Sequence, residues 1–549
     1  MFSNERISSI GPHEFRRSVQ RLMTLQGYAT FSVDGPNDRG GDLICEINGE
    51  NWVLQTKWKK NRGRVSADVV DELIMARDYY SAHQAIIVSN GILERSAEKR
   101  LRDLSERGIG VGWWGLEQLQ QLVKQIPSFS ANAIDLRSYQ KTAKESIISD
   151  LNNKGSALLY LATGLGKTVV AGSVIQHYFQ TLNVRRVLVL AHMTELIEQL
   201  QKSLWPFLDV TVQSQLLDNV NKPSDFDGLT VATNLSILPV LKAGFRPDLI
   251  VIDECHHVGS DNTYSTILDL CKGVPLLGVT ATPWRGDGFD IVSTFGEPSA
   301  ICDMAEGIRK GYLSKVNYKL FCDNIDWDII PELSEQDYTI KQLNKKLFIP
   351  QRDEQICDEI LEAFNNVLRP KCVVFCQSIE HATQLYDRLK LILKFQNARL
   401  LHSQLSQAER RKALLDFRGT ECPILLSVDI LNEGVDIPSV NIVCFARVTH
   451  SRKIFVQQLG RGLRISDDKD FVLVLDFAAD IRRTAAIRNL KLDVGETKDE
   501  LNEIEILEHY QNDITFTDQR AERLIDEWLK DAADLETTSD EAKLNFPHI

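Results

Sequence analysis

At 549 residues the chain has room for three or four domains, each able to bury a core. Its composition, 43% apolar and 25% charged, is that of a globular protein, and no apolar run approaches the ~18 residues of a membrane-spanning helix, so no membrane partner is expected. The formal net charge of −13 argues at first against nucleic acid, but residues 491–549 hold 6 Lys/Arg against 17 Asp/Glu; −11 sits in the tail and residues 1–490 carry only −2, so a local basic strip can still grip phosphates.

Ten cysteines are scattered without a C-x-x-C pair, and Cys372, Cys376 and Cys444 lie in apolar strands. That usage predicts buried thiols in a reducing compartment, with no disulfide frame and no zinc ribbon. The N-terminus, Met1-Phe2-Ser3-Asn4-Glu5-Arg6, lacks a basic-then-apolar leader pattern, so a cytoplasmic location is expected.

In chain order, His13–Met23 has the apolar spacing of a helix that follows Pro12. Thr30–Val33 reads as a strand, and a turn-rich stretch from Asp34 to Gly41 leads to a second, Asp42–Ile47. Asn48-Gly49-Glu50-Asn51 predicts a hairpin turn, and Trp52–Lys57 the returning strand. Period 2 puts Gln55 and Lys57 on one face, where Asp42 can reach them and Glu14 can be added from the helix. Oxygen ligands from Asp42 and Gln55 suit Mg²⁺, with Lys57 placing or activating a water. A bare D…Q-x-K spacing also fits an ordinary surface hairpin. The basic run Trp58-Lys59-Lys60-Asn61-Arg62-Gly63-Arg64 follows directly, which favours phosphate contact through Lys59 and Lys60.

The ordered set Glu14, Gly40-Gly41-Asp42 and Gln55-Thr56-Lys57, with Asp38 at a further acidic position, resembles the Mrr-like restriction endonucleases of the PD-(D/E)xK fold. The resemblance continues through Gln84–Gly91 and Gly108–Leu119, about 110 residues in all. It implies a metal-dependent DNA endonuclease with Glu14, Asp42, Gln55 and Lys57 as its catalytic set. The same fold retained only to bind DNA is the other possibility.

Residues 127–132 read as a linker. The apolar run Ala157–Leu161 ends in Ala162-Thr163-Gly164-Leu165-Gly166-Lys167-Thr168 and an amphipathic stretch: strand, phosphate loop, helix. In such a loop backbone N–H groups face an anion, Lys167 reaches the terminal phosphates and Thr168 holds Mg²⁺. Leu161 stands where the motif's first glycine would be. Upstream, Gln140 in Leu136-Arg137-Ser138-Tyr139-Gln140 can read an adenine edge through its amide. Downstream, strands alternate with helices, as in a parallel α/β sheet. The strand Leu249–Ile252 ends in Asp253-Glu254-Cys255-His256, which puts Asp253 on Mg²⁺ and Glu254 on the attacking water.

These motifs occur in order with Leu190-Ala191-His192 and Thr280-Ala281-Thr282-Pro283-Trp284-Arg285-Gly286-Asp287-Gly288. Together they resemble superfamily 2 helicases of the restriction-helicase and XPB-like branch. The resemblance extends to a second lobe, through Asp429, Asn432-Glu433-Gly434-Val435-Asp436 and Gln457-Gln458-Leu459-Gly460-Arg461-Gly462-Leu463-Arg464. It implies ATP bound between lobes, with Arg137, Gln140, Thr163, Gly164, Leu165, Gly166, Lys167, Thr168, Asp253, Gly434 and Asp436 around the nucleotide. Arg461 and Arg464 would be arginine fingers, and Thr233, Thr280, Thr282 and Ser378 would contact DNA or couple it to hydrolysis.

The expected fold is thus α/β throughout. A restriction-endonuclease-like domain spans 1–128, two tandem RecA-like parallel-sheet lobes span 129–305 and 306–480, and a small acidic helical appendage spans 481–549. The expected function is an ATP-dependent DNA helicase or translocase fused to a Mg²⁺-dependent endonuclease, in restriction-like defence against foreign, double-stranded DNA. Its alternatives are a repair or recombination helicase whose N-terminal fold only binds DNA, and a nucleotide-gated switch that recruits a partner. The appendage could dock a second copy or a defence-system protein.

Overall fold

The computed structural model describes residues 1–33, 40–126, 134–223, 225–260, 262–281, 291–321, 338–339, 353–392, 398–419, 422–428, 439–446, 463, 465, 469, 471–477, 513–516 and 543–544. The first sheet runs β1 (Ala29–Ser32), β2 (Leu43–Ile47), β3 (Glu50–Lys57), β4 (Gln84–Ser89) and β5 (Val111–Trp114), in that order. The first three strands are antiparallel and the last two join in parallel. Asn48 (φ 54°) and Gly49 (φ 81°) turn the β2–β3 hairpin with both residues in the left-handed region that an Asn-Gly turn tolerates.

Helices clothe both faces of this sheet. α1 (Pro12–Leu25) lays Phe15, Val19 and Leu22 on Leu43, Cys45 and Leu54, while α2 (Ala67–Tyr79) lays Val69, Val70 and Leu73 on Ile44, Val53 and Ile87. Because side chains alternate across a strand, Val53, Gln55 and Lys57 share the α2 side of β3.

The second sheet is parallel throughout, which explains its continuous apolar strands: both faces are covered. Its strands are β6 (Ser156–Leu161), β7 (Arg186–Ala191), β8 (Ser214–Leu217), β9 (Gly228–Thr233), β10 (Leu249–Asp253), β11 (Leu276–Thr280) and β12 (Pro298–Cys302), ordered β8-β9-β7-β10-β11-β6-β12. α3 (Ser138–Lys154) precedes β6, α4 (Lys167–Thr181) follows it, and α5 (Thr194–Leu204) follows β7. The third sheet is also parallel: β13 (Lys315–Phe321), β14 (Cys372–Phe375), β15 (Ala398–Leu401), β16 (Ile424–Ser427), β17 (Ile442–Phe445), β18 (Phe471–Phe477) and β19 (Asp513–Phe516), ordered β15-β16-β14-β17-β18-β13-β19. α6 (Gln407–Arg418) connects β15 to β16.

The tail departs from the expected helical appendage in its described part. Asp513–Phe516 pairs with Asn317–Leu320 and covers an edge of the third sheet, and Lys543-Leu544 pairs with Tyr338-Thr339. Asp-Ile-Thr-Phe has the alternation of a strand, and β13 offers it an unpaired backbone edge. The amphipathic run 521–529 lies outside the described residues.

The N-terminal domain sits against both lobes. From α1, Arg17 forms an ion pair with Glu198 and donates to Gln201 Oε1 at 3.0 Å, while Arg21 donates to the carbonyls of Val212 and Asp209 at 2.7 and 2.9 Å. Lys202 on α5 donates to the Thr30 carbonyl and lies over the Phe31 ring at 5.2 Å; Arg418 on α6 lies over the same ring at 4.5 Å. Burial, with the Arg418 charge adding to it, pushes the Lys202 ammonium down to about 8.

Candidate active sites

The phosphate loop is built by β6 and α4. Leu161, at the position of the missing glycine, is the buried last residue of β6, and Leu165 is buried inside the loop, so the turn is anchored in the lobe core. Gly164 (φ 95°) and Gly166 (φ 82°) supply the left-handed backbone that folds Thr163–Gly166 over the start of α4, where Lys167 and Thr168 begin the helix.

Lys167 Nζ lies 3.1 Å from Glu254 Oε1. Glu254 has φ 47°, a strained value for a carboxylate-bearing residue that follows the end of β10. Its other oxygen lies 3.3 Å from His256 Nδ1, and that nitrogen is 2.9 Å from Thr280 Oγ1 at the end of β11. The loop lysine, the Asp-Glu box and Thr280 thus form one connected chain of polar contacts. Asp253 is half-buried; desolvation first, then the like charge of Glu254, pushes its carboxyl up to about 6, against the opposing pull of Lys167.

Gln140 differs from its expected role. Its Nε2 donates to the Leu165 carbonyl at 3.0 Å and its Oε1 accepts from the Arg137 N–H at 3.0 Å. The second bond closes the N-terminus of α3, where backbone donors lack helical partners. Gln140 therefore braces the phosphate loop instead of presenting an open amide edge. Tyr139 Oη donates to the same Leu165 carbonyl at 2.8 Å. Arg137 donates to the Tyr312 carbonyl at 2.9 Å, and the rings of Tyr139 and Tyr312 stack at 4.2 Å. Tyr312, which the sequence reading missed, ties the motif to the chain leaving the first lobe; a lone tyrosine carries no motif signal.

Thr233 and Ser378, expected to contact DNA or couple it to hydrolysis, are engaged within the chain. Thr233 Oγ1 accepts from Ser236 N at 3.2 Å and Ser378 Oγ from His381 N at 3.1 Å, so each caps a helix. Thr282, Gly434, Asp436, Arg461 and Arg464, together with Asp38 and Asp429, lie outside the described residues.

In the N-terminal domain Asp42 precedes β2 and points at the start of the next residue pair on β3. One oxygen, Oδ2, accepts from both the Thr56 N–H and, at 2.7 Å, the Thr56 hydroxyl. Burial raises the Asp42 carboxyl above its ordinary value, although these Thr56 bonds oppose it. Gln55 Nε2 and Lys57 Nζ, side by side on the α2 face, converge on a single oxygen of Glu72 at 2.7 and 2.9 Å. Glu72, on α2, was not anticipated; its spacing from the Q-x-K strand has no sequence signature. Burial raises its carboxyl, but the Lys57 and Gln55 contacts outweigh this and hold it below the ordinary value.

Glu14 stands apart from its expected place. Its Oε1 accepts from Arg6 at 3.0 Å, and it projects from α1, which covers the opposite face of β3. Beyond the strand, Lys60, Arg62 and Arg64 are exposed and Lys59 half-buried, a basic turn facing solvent. The donors Asp42 and Gln55 are hard oxygens, and Gln55 Oε1 is buried with no hydrogen-bond partner among the described residues. An orphaned carbonyl on Gln55, next in sequence to the Thr56 that holds the Asp42 carboxylate, fits a divalent cation that keeps several waters.

Family models match in three places: residues 7–123 a "Restriction endonuclease" model, 133–285 a "Type III restriction enzyme, res subunit" model and 351–466 a "Helicase conserved C-terminal domain" model. Among curated proteins, the chain is 29% identical over 374 residues to a Schizosaccharomyces pombe protein provisionally named as the mitochondrial ATP-dependent helicase irc3, covering 65% of this chain and 59% of that one. It is 27% identical over 399 residues to the type I restriction enzyme EcoAI endonuclease subunit of Escherichia coli, covering 66% and 49%. The chain spans between half and two thirds of the length of the curated relatives it matches first. A solved ATP-dependent type ISP restriction-modification enzyme, LlaBIII bound to DNA, shares the fold with a TM-score of 0.50 at 17% identity, over 84% of this chain and 36% of that one. By these matches the chain carries, in order, a segment similar to Mrr-type restriction endonucleases, one similar to the res subunit of type III restriction enzymes and one similar to the C-terminal domain of helicases.

Proposed function

We propose that this protein is an ATP-driven DNA translocase or helicase that delivers double-stranded DNA to its own endonuclease, in restriction-like defence. The observation that carries the reading is the coexistence of two phosphate-handling centres in one chain: Lys167 with Asp253 and Glu254, and Lys57 with Asp42 and Gln55. The division into 1–128, 129–305, 306–480 and 481–549 is part of the same reading.

At the first centre Lys167 leaves Glu254 for the terminal phosphates of ATP, which frees Glu254 to orient the attacking water. His256 and Thr280 carry that change to the end of β11. Arg461 and Arg464 would close from the second lobe, with Gly434 and Asp436 beside the nucleotide. At the second centre Lys57 holds the scissile phosphate and its water, while Asp42 and Gln55 present oxygens to a cation. Mg²⁺, the metal proposed for both centres, would neutralise phosphate charge and lower the pKa of water. Thr168 and Asp253 would hold it at the ATPase centre. Lys59 and Lys60 would grip the DNA backbone. The cytoplasmic assignment rests on the buried, unbridged thiols of the described residues, and docking of a second copy or a defence protein through 481–549 belongs to the proposal too.

Glu14 held by Arg6 favours a second reading, in which the N-terminal fold binds DNA and the lobes serve repair. Plasmid nicking with Mg²⁺, with and without ATP, decides between them. Cutting that Lys57→Ala abolishes while ATP hydrolysis persists supports the first; no cutting by the wild type under any condition supports the second.

A further inference from the structure

The Q-x-K strand offers one amide and one ammonium, and the acid that organises both comes from elsewhere. Glu72 Oε2 accepts from Gln55 Nε2 and from Lys57 Nζ, so one carboxylate oxygen fixes two neighbouring side chains. The amide has two ends with opposite character. With its NH₂ turned to Glu72, the Gln55 carbonyl must point the other way, and there Oε1 is buried without a hydrogen-bond partner among the described residues, on a residue only 1% exposed. A buried carbonyl left unpaired is costly unless something binds it.

The loop before Asp42 is shaped to the same cluster. Gly40 has φ 88°, and a Cβ there would meet Glu72 Cβ and the Glu72 carbonyl at 3.0 Å and Gln55 Nε2 at 3.3 Å. The G-x-D backbone therefore rests directly on the Glu72–Gln55 contact, and Asp42 follows two residues later.

We propose that Glu72 is a positioning residue of the nuclease centre: it orients the Gln55 carbonyl toward the divalent cation shared with Asp42 and holds Lys57 beside it. This rests on the nuclease reading and names a residue which that reading does not contain. Outer residues that orient a metal ligand commonly matter by 10–100-fold in metal affinity or activity.

The test uses the full chain without nucleotide, with Mn²⁺ binding followed by electron paramagnetic resonance and plasmid nicking measured in parallel. Asp42→Ala defines the nuclease cation as the binding that it removes. Glu72→Ala is expected to weaken that binding about tenfold and to raise the metal concentration needed for half-maximal nicking to match. Glu72→Met, whose thioether is only a weak acceptor, should do the same, and Glu72→Gln, whose carbonyl can still accept both bonds, should stay within about threefold of the wild type. DNA-stimulated ATP hydrolysis, unchanged in all three, reports that the chain is folded. Wild-type metal affinity in both Glu72→Ala and Glu72→Met would overturn the assignment and leave the nuclease reading standing. Equal Mn²⁺ binding by wild type and Asp42→Ala, with no nicking by either, would remove the nuclease reading and this assignment together.

Discussion

Both proposed phosphate-handling centres hold a lysine against a carboxylate at almost the same distance, Lys167 to Glu254 at 3.1 Å and Lys57 to Glu72 at 2.9 Å. Their surroundings differ. The ATPase pair is 13% and 17% exposed, its glutamate sits in strained backbone, and its neighbour Asp253 is driven up to about 6. The nuclease pair is 29% and 43% exposed, on regular strand and helix. A half-buried pair with one partner on strained backbone suits a small ligand that must displace it and be enclosed. An open pair suits a polymer whose backbone passes across it. In the proposed reading, each carboxylate gives its lysine a partner that phosphate would replace.

The comparison breaks most sharply at the lysines. Lys167→Ala should lower ATP hydrolysis by about 10³-fold, measured as phosphate release with saturating DNA, because the charge facing the terminal phosphates is gone. Lys57→Ala should lower nicking by about 10²-fold or more and leave that ATPase rate unchanged, which would show the centres to be chemically separate. Equal losses of both activities in either variant would show one shared centre.

Thr280→Val should act more weakly. It removes the hydroxyl that meets His256 and keeps the shape of β11, so stimulation of ATP hydrolysis by DNA should fall about tenfold while the basal rate holds. A similar effect is expected where the domains meet. Phe31 lies between Lys202 of one lobe and Arg418 of the other, so Phe31→Ala should reduce the response of nicking to ATP by a few-fold, with both basal activities retained.

The smallest expected effect is in pH. Asp253 titrates near 6 in the nucleotide-free protein, and Mg²⁺–ATP favours its ionised form. Binding should therefore release a proton near pH 6, affinity should rise with pH through that value, and both effects should fade by pH 8. Calorimetric titration in buffers of different ionisation heat measures the release, and Asp253→Asn should abolish it.

Much of the ATPase centre was legible in the chain because its chemistry is local. Gly164, Gly166 and Lys167 lie in one turn, and Asp253 and Glu254 end one strand, so the motif carries both the conformation and the charge. Gln140 was legible as a motif residue, but its orientation was not: only the approach of α3 to the phosphate loop decides that its amide meets Arg137 and Leu165. Thr233 and Ser378 show the same dependence, since a hydroxyl at a strand end is equally suited to capping the helix that follows.

The nuclease centre divides along the same line. Alternation along β3 put Gln55 and Lys57 on one face, and the Asn48-Gly49 hairpin brought Asp42 to Thr56 between them. Which helix covers that face does not follow from the strand. It depends on the apolar residues of α1 and α2, and their packing sets Glu14 beside Arg6 and Glu72 beside Lys57. The sequence by itself determined the three sheets, the phosphate loop and the paired motifs, because each is written in a stretch of a few residues with its own periodicity or turn chemistry. Only the tertiary structure decided which acid meets which lysine, because such pairs join residues that the chain separates by 15 or 87 positions and that helix packing alone brings together.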